Sequence, residues 1–199
     1  MKSVDDITYH ELMGRWEPDA RGRLGQAALE LYLERGFDQT TVADIAERAG
    51  LTERTFFRHY SDKREVLFGE QEALHEMITS TIAAHPDSAS PMAAMGAALQ
   101  VFAELIGQRR DFSRSRQVVI DANASLRERE LIKLASLADT AARALRGRGV
   151  SEPAASLAAE AGLAAFKVAF ARWVQAEEGE LCECVHEALG VLESVTTGR

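Results

Sequence analysis

Cysteine, proline and glycine are scarce: 2, 4 and 14 in 199 residues. Cys182 and Cys184 are too few to staple a disulfide scaffold. Two positions apart on a helix they point in different directions, so they read as small core or interface residues. The shortage of proline and glycine excludes collagen-like and linker-like chains. Long apolar runs are missing as well, since the longest uncharged stretch, 88–103, is interrupted by Pro91 and Gly96 and is shorter than a bilayer span. Near the first residue, Asp5 and Asp6 stand where a secretory leader carries its apolar segment. The expectation is a cytoplasmic protein that does not enter a membrane. Nowhere do β-branched and aromatic residues alternate with period two over the length of a strand. Cations are also in deficit, 23 Lys and Arg against 31 Asp and Glu, for a formal net charge of -8. Such a chain does not bind nucleic acid indiscriminately, because non-specific affinity comes from neutralising phosphates. A locally basic head on an acidic body is still compatible with that balance.

What is abundant is apolar residues, 46% of the chain, recurring at spacings of three and four, the period of helices buried on one side. The chain reads as all-α. Residues 1–17, with isolated Tyr9 and Trp16, form an arm without a sustained period. Asp19 is placed to cap a helix that runs to Arg35, and Gly36 closes it in a Schellman turn that folds Phe37 back on Tyr32. Thr41 and Asp44 form a capping box for a helix over 42–49, ended by Gly50. Thr52 caps a helix reaching Tyr60, and Asp62 with Glu65 caps a long one over 63–84. The linker 85–91 carries two prolines that break it. Further helices are predicted over 92–108, 112–122, 125–147, 154–177 and 180–196, with Ser125 plus Glu128 and Pro153 marking two of the starts.

Chemistry concentrates in 41–61. Two short helices joined by a tight turn fit a helix-turn-helix, whose second helix enters the DNA major groove. Ile45 and Ala49 face inward, Ala46 is small where the helices cross, Gly50 permits the turn, and Leu51 and Phe56 close the core. At 100° per residue, Phe56, Phe57 and Tyr60 fall on one face and Arg54, Thr55 and Arg58 on the other, with His59 at the flank. Arginine pairs bidentately with guanine and threonine meets a thymine methyl or a phosphate. Thr40, Thr41, Thr52 and Lys63, at helix starts, are placed to donate to the DNA backbone. A generic helical hairpin fits the same spacing, and between Gln39 and Glu65 five cations are matched by five carboxylates.

Gly36-Phe37, Thr40-Thr41-Val42, Ile45-Ala46, Ala49-Gly50-Leu51-Thr52, Thr55-Phe56-Phe57-Arg58-His59-Tyr60, Lys63 and Leu67 resemble the N-terminal domain of the tetracycline-repressor (TetR) family of bacterial transcriptional regulators. The resemblance covers about the first third of the chain. It implies an N-terminal three-helix helix-turn-helix domain over 18–66, after the arm, and a helical ligand-binding and dimerisation domain over 67–199. It further implies a homodimer on a palindromic double-stranded DNA operator, probing DNA with Thr40, Thr41, Thr52, Arg54, Thr55, Arg58, His59, Tyr60 and Lys63. A small-molecule effector would release it, and neither cofactor nor metal is implied. One departure is Phe57, where the family usually has a tyrosine whose hydroxyl contacts a phosphate. In the body, Met77, Phe102, Phe112, Arg116, Asn123, Phe170 and Trp173, with Gln117, are the candidate effector wall. The last two helices, with Leu181, Val185, Ala188, Leu189, Leu192 and Val195 as an apolar stripe, suit a four-helix dimer interface.

Two other functions compete. An enzyme lacks visible residues: His10, His59, His75, His85 and His186 are dispersed, and neither a Gly-rich loop after a strand nor a nucleophile motif occurs. Glu72, His75 and Glu76 lie close on one helix, where a solvated charged face explains them better than a metal. The other competitor is a helical ligand-binding or scaffolding dimer without specific DNA readout.

Overall fold

The computed structural model describes residues 20–69 and 71–198; the arm over 1–17 and the Asp19 cap lie outside the described residues. Those residues form nine α-helices and no strand: α1 (Ala20–Arg35), α2 (Val42–Arg48), α3 (Glu53–His59), α4 (Gln71–Ala84), α5 (Pro91–Gly107), α6 (Arg110–Asp121), α7 (Ala124–Gly147), α8 (Ala154–Gln175) and α9 (Leu181–Thr197). A 3-10 turn, Glu65–Phe68, stands between α3 and α4. The all-α expectation holds, and the helix ends fall within two residues of most of the predicted ones.

Two hydrophobic cores divide the molecule. The head core gathers Leu24, Leu31 and Tyr32 of α1, Ile45 of α2, Phe56 of α3 and Val66, Leu67 and Phe68 of the 3-10 turn, and it also takes Val119, Ile120 and Leu126 from α6 and α7. The body core is built from α4, α5, α7, α8 and α9. Gly36 ends α1 at φ 86°. Its N–H bonds the Tyr32 carbonyl at 3.1 Å, and the Phe37 ring meets Tyr32 edge-on with centroids 5.2 Å apart. That bond is the αL form of the predicted close.

The long helix expected over 63–84 is not continuous. The Asp62 carboxylate accepts the Arg64 N–H at 2.7 Å, a 3-10 turn follows, and Gly69 breaks the chain at φ 60°, ψ −148°, a region only glycine enters cheaply. The cause is tertiary. Val66, Leu67 and Phe68 are consecutive and all buried in the head core, where the 3-10 turn and the Gly69 break place them. Nor does a Ser125 side chain cap α7: its N-cap is Asn123, which makes no side-chain capping bond.

In the body, α8 is long and apolar enough to cross a membrane by length and composition, although Glu160, Lys167 and Arg172 interrupt its apolar run. Its Ala155, Ala158, Ala159, Leu163, Phe166, Ala169 and Trp173 are buried in the body core, against α5, α7 and α9. The apolar stripe of α9 is also mostly internal. Leu181, Val185 and Ala188 are buried, Leu189 and Leu192 pack on the same core, and Val191 and Val195 are the large apolar side chains of α9 left outside. Gly162 lets α8 approach α5 closely, since a Cβ there would sit 2.5 Å from Met95 Cγ, and Met95 is itself fully buried. Gly162→Ala is expected to cost about 1–3 kcal/mol through overpacking, more than the helix propensity it gains. In urea denaturation the midpoint should fall with the slope unchanged.

Candidate nucleic-acid interface

Local hydrogen bonding builds the α2–turn–α3 unit. Thr41 Oγ1 accepts the Asp44 N–H at 3.2 Å. In return Asp44 Oδ2 accepts from the Thr41 N–H at 2.8 Å and the Thr41 hydroxyl at 2.6 Å, the reciprocal capping box. These bonds, helped by Arg35 at 2.8 Å, hold the Asp44 carboxyl down to about 2. Gly50 turns the chain at φ 65°, and the Leu51 N–H bonds the Ala46 carbonyl at 2.8 Å. Thr52 Oγ1 accepts the Thr55 N–H at 3.2 Å, capping α3. Ile45, Ala46 and Phe56 are buried, as their spacing required.

The outward face of α3 differs from expectation at one residue. Phe57 is 55% exposed and, with Arg54, Thr55 and Arg58, lines a shallow cleft. The core takes Phe56 and Tyr60, while Arg54, Phe57 and Arg58 are exposed. Phe57 is braced edge-on against Phe56 with centroids 5.4 Å apart. Charge pairing also separates residues that looked equivalent in the sequence. Arg48 is held by Glu34 at 2.8 Å and Glu30 at 3.5 Å, and Arg64 by Asp62 at 2.8 Å. Among the described residues neither Arg54 nor Arg58 lies at ion-pair distance from a carboxylate. The Arg58 guanidinium lies 3.5 Å from His59 Nε2, and His59 is half-buried.

Three of the expected backbone contacts are corrected by their burial or their partners. Thr40 is fully buried and its hydroxyl donates to the Gly36 carbonyl at 2.9 Å and the Leu31 carbonyl at 3.4 Å. Lys63 Nζ donates to the carbonyls of Phe37 at 2.8 Å, Thr40 at 2.9 Å and Asp38 at 3.4 Å, and sits 4.3 Å from the centroid of the Phe37 ring. Its three protons are thus engaged inside the protein. Tyr60 is buried, with its hydroxyl donating to the Arg21 carbonyl at 3.3 Å. Thr41 and Thr52 remain exposed at the starts of α2 and α3.

The seven body residues expected to wall one cavity fall into two groups. Phe102 stacks on Phe166 at 4.8 Å, and the row continues through Phe170 at 6.1 Å to Trp173 at 5.8 Å, with Met77 packed on the same core. Phe112, Arg116 and Asn123 lie instead at the junction of head and body. Phe112 packs against the head core. Arg116 Nε donates to the Leu67 carbonyl at 2.7 Å and its guanidinium pairs with Glu130 at 3.1 Å. Asn123 Nδ2 donates to the Val119 carbonyl at 2.7 Å, beside a cleft bordered by Leu33, Phe37 and Val118. Gln117 donates to Asp121 at 2.8 Å. The reason for the split is that α6 lies against both units, Val119 and Ile120 entering the head core while Arg110 caps the end of α8 through the Trp173 carbonyl at 2.8 Å. Of the acidic-histidine trio on α4, His75 Nδ1 lies 2.6 Å from Thr140 Oγ1, and among the described residues no three His, Cys, Asp or Glu side chains are grouped to hold a metal.

With this geometry in place, comparison with known proteins gives consistent matches. Residues 25–69 match the family model for bacterial regulatory proteins, tetR family, and residues 89–197 that for the MftR C-terminal domain. The chain is 37% identical over 91 residues to the HTH-type transcriptional regulator TcmR of Streptomyces glaucescens, covering 46% of this chain and 39% of that protein. The aligned part thus spans less than half of TcmR. It is 30% identical over 169 residues to the HTH-type transcriptional repressor BepR of Brucella suis biovar 1, covering 77% of this chain and 79% of BepR. The fold matches that of SmeT, the repressor of a Stenotrophomonas maltophilia multidrug efflux pump, in its triclosan complex, with a TM-score of 0.63 and 21% identity over 88% of this chain and 90% of the other.

The α2 cap has a pH signature. The folded Asp44 carboxyl titrates at about 2, below its ordinary 3.8, so the cap stabilises the head at every pH above about 4 and loses that contribution as pH falls toward 2. Asp44→Asn is expected to be less stable than the parent at pH 7 in urea denaturation, with the gap closing between about pH 4 and pH 2. A gap that stays constant with pH would show that the ionised carboxylate is not responsible.

Proposed function

The chain belongs to the TetR family of bacterial regulatory proteins, and from that premise we propose that it is a cytoplasmic, sequence-specific DNA-binding repressor that leaves a palindromic operator when a small-molecule effector binds. The observation that carries this reading is the outward face of α3. Arg54 and Arg58 stand there without carboxylate partners among the described residues, on a helix fixed from behind by buried Phe56 and Tyr60. In the major groove each guanidinium pairs with the O6 and N7 edge of a guanine, and Thr55 meets a thymine methyl or a phosphate. Thr41 and Thr52, with the helix N-termini they cap, hold the DNA backbone, and His59 flanks them. Thr40, Tyr60 and Lys63 act one step back, by fixing the turns that carry these groups. The head ends at Phe68, and the body from α4 onward binds effector and partner subunit. The family and the named relatives are transcriptional regulators, and no catalytic step is assigned to this chain.

Dimerisation places two such heads on one operator. The outward faces of α8 and α9 carry Leu157, Val168, Val191 and Val195, each more than half exposed, and two copies packed through these helices make a four-helix interface.

Selection of bound sequences from a random duplex pool, at fixed salt, should enrich a palindrome. On that site Arg54→Ala and Arg58→Ala should each weaken binding by about 5- to 150-fold, the equivalent of about 1–3 kcal/mol, and relax the preference at one base pair per half-site. A uniform loss across all sequences would restrict these arginines to phosphates. No enrichment across a salt range would favour a helical binding protein that does not read DNA. The double variant Val168→Glu/Val191→Glu should be monomeric by light scattering and bind the palindrome at least tenfold more weakly. A dimer of unchanged mass would move the interface elsewhere.

A further inference from the structure

The covalent path from head to body passes through Gly69, exposed and at positive φ. A Cβ there would meet nothing within 4 Å, so glycine is required by the backbone angle and not by crowding. Four residues earlier, both oxygens of Glu65 are taken by cations on successive turns of α7: Arg129 Nε at 3.1 Å from Oε1 and Lys133 Nζ at 2.8 Å from Oε2. Arg129 also reaches Asp62 at 3.7 Å, through the same carboxylate oxygen that pairs with Arg64.

These pairs differ from ordinary surface ion pairs. The side chains of Glu65, Lys133 and Arg129 are 18%, 20% and 25% exposed, so losing one partner leaves a charge largely withdrawn from water. Their position matters as much as their burial. Asp62 follows the end of α3 by three residues, so the group that α7 grips is the turn that carries the reading helix. Rotation about Gly69 would swing this turn past α7 and part the pairs.

We propose that Glu65, clasped by Arg129 and Lys133, is a latch that fixes the angle of the reading head about Gly69 and thereby sets operator affinity from a place that does not touch DNA. The latch rests on the DNA-binding reading for its effect on affinity, but its mechanical part does not. Because an interaction of this kind has two sides, cutting it from either side has the same consequence, whatever charge is removed.

The test uses the full chain with Glu65→Gln, Lys133→Gln and the double variant, each checked for its helical circular dichroism and thermal melting. On the selected palindrome at fixed salt, both single variants should change affinity in the same direction by about fivefold or more, and the double variant should go no further than the singles. Opposite directions, with Lys133→Gln weaker and Glu65→Gln tighter, would reveal simple attraction or repulsion of phosphates and overturn the latch. Full additivity, or changes below twofold, would overturn it too. If Glu65→Gln fails to fold, the swapped pair Glu65→Lys/Lys133→Glu takes its place and should restore affinity that Lys133→Glu alone changes; no restoration counts against the latch. Hydrogen exchange without DNA reads the hinge directly. Amides over 64–73 should exchange at least tenfold faster in Lys133→Gln while α3 keeps its protection, and unchanged exchange there overturns the proposal even if no operator is ever found. Failure of the selection, with accelerated exchange at the hinge, would instead sink the DNA reading and leave the latch standing.

Discussion

The head is organised by a clasp in which Tyr32 and Lys63 tie the segment after α3 to the end of α1 and the turn that follows it. The Tyr32 hydroxyl donates to the Lys63 carbonyl at 2.6 Å, while the Lys63 ammonium donates to three carbonyls of the turn that follows α1. Burial, and then the Asp62 charge, push the tyrosine hydroxyl well above its ordinary range, so it stays protonated and keeps donating. The clasp joins the end of α1 to the segment leaving α3, across a sequence separation of 31 residues. It satisfies carbonyls of the turn between α1 and α2. With both ends of the α2–turn–α3 unit so tied, Phe56 and Tyr60 are driven into the core and the opposite side of α3 is presented to solvent.

The relation of head to body follows from the sharing of one core. Val119, Ile120 and Leu126 leave the body's own cluster and complete that of the head, so the first part of α7 and the last part of α6 are common property. Apolar contact resists separation but is poor at fixing an angle, because it is non-directional. Directional bonds supply that: Arg116 to the Leu67 carbonyl, and α7 cations to Glu65 and Asp62. At the far end of α6, Arg110 and Arg114 cap the last carbonyls of α8, including those of Trp173, Val174 and Ala176. A single helix is therefore tied by arginines to both units.

Much of the candidate site was legible because its determinants are local. The Thr41–Asp44 box, the Thr52 cap and the glycines at 36 and 50 act over four residues or fewer, and short spacing is visible in a sequence. Phe57 was assigned to the buried side because, three residues before Tyr60, it falls near it on a helical wheel, whereas the helix ends at His59 and Tyr60 leaves it in extended backbone. Arg116 and Asn123 were assigned to an effector wall because the family resemblance places the cavity among the body helices and these are polar groups there. Their partners, Leu67 and Val119, show one to be a tether and the other a local cap.

The amino-acid sequence by itself determined the helical class, the caps at Thr41 and Thr52, the breaks at Gly36 and Gly50 and the pair of short helices that follows, since each depends on residues within a turn or two of one another. Tertiary structure alone decided which charges are spent and which remain. Five cations and five carboxylates balance between Gln39 and Glu65. Folding gives Arg48 to the carboxylates of α1 and gives Glu65 to α7, leaving Arg54 and Arg58 exposed. It also decided the break at Gly69, where the chain leaves the 3-10 turn that puts Val66, Leu67 and Phe68 into the head core. Pairing across 14 to 68 residues depends on how elements pack, and no local pattern encodes that.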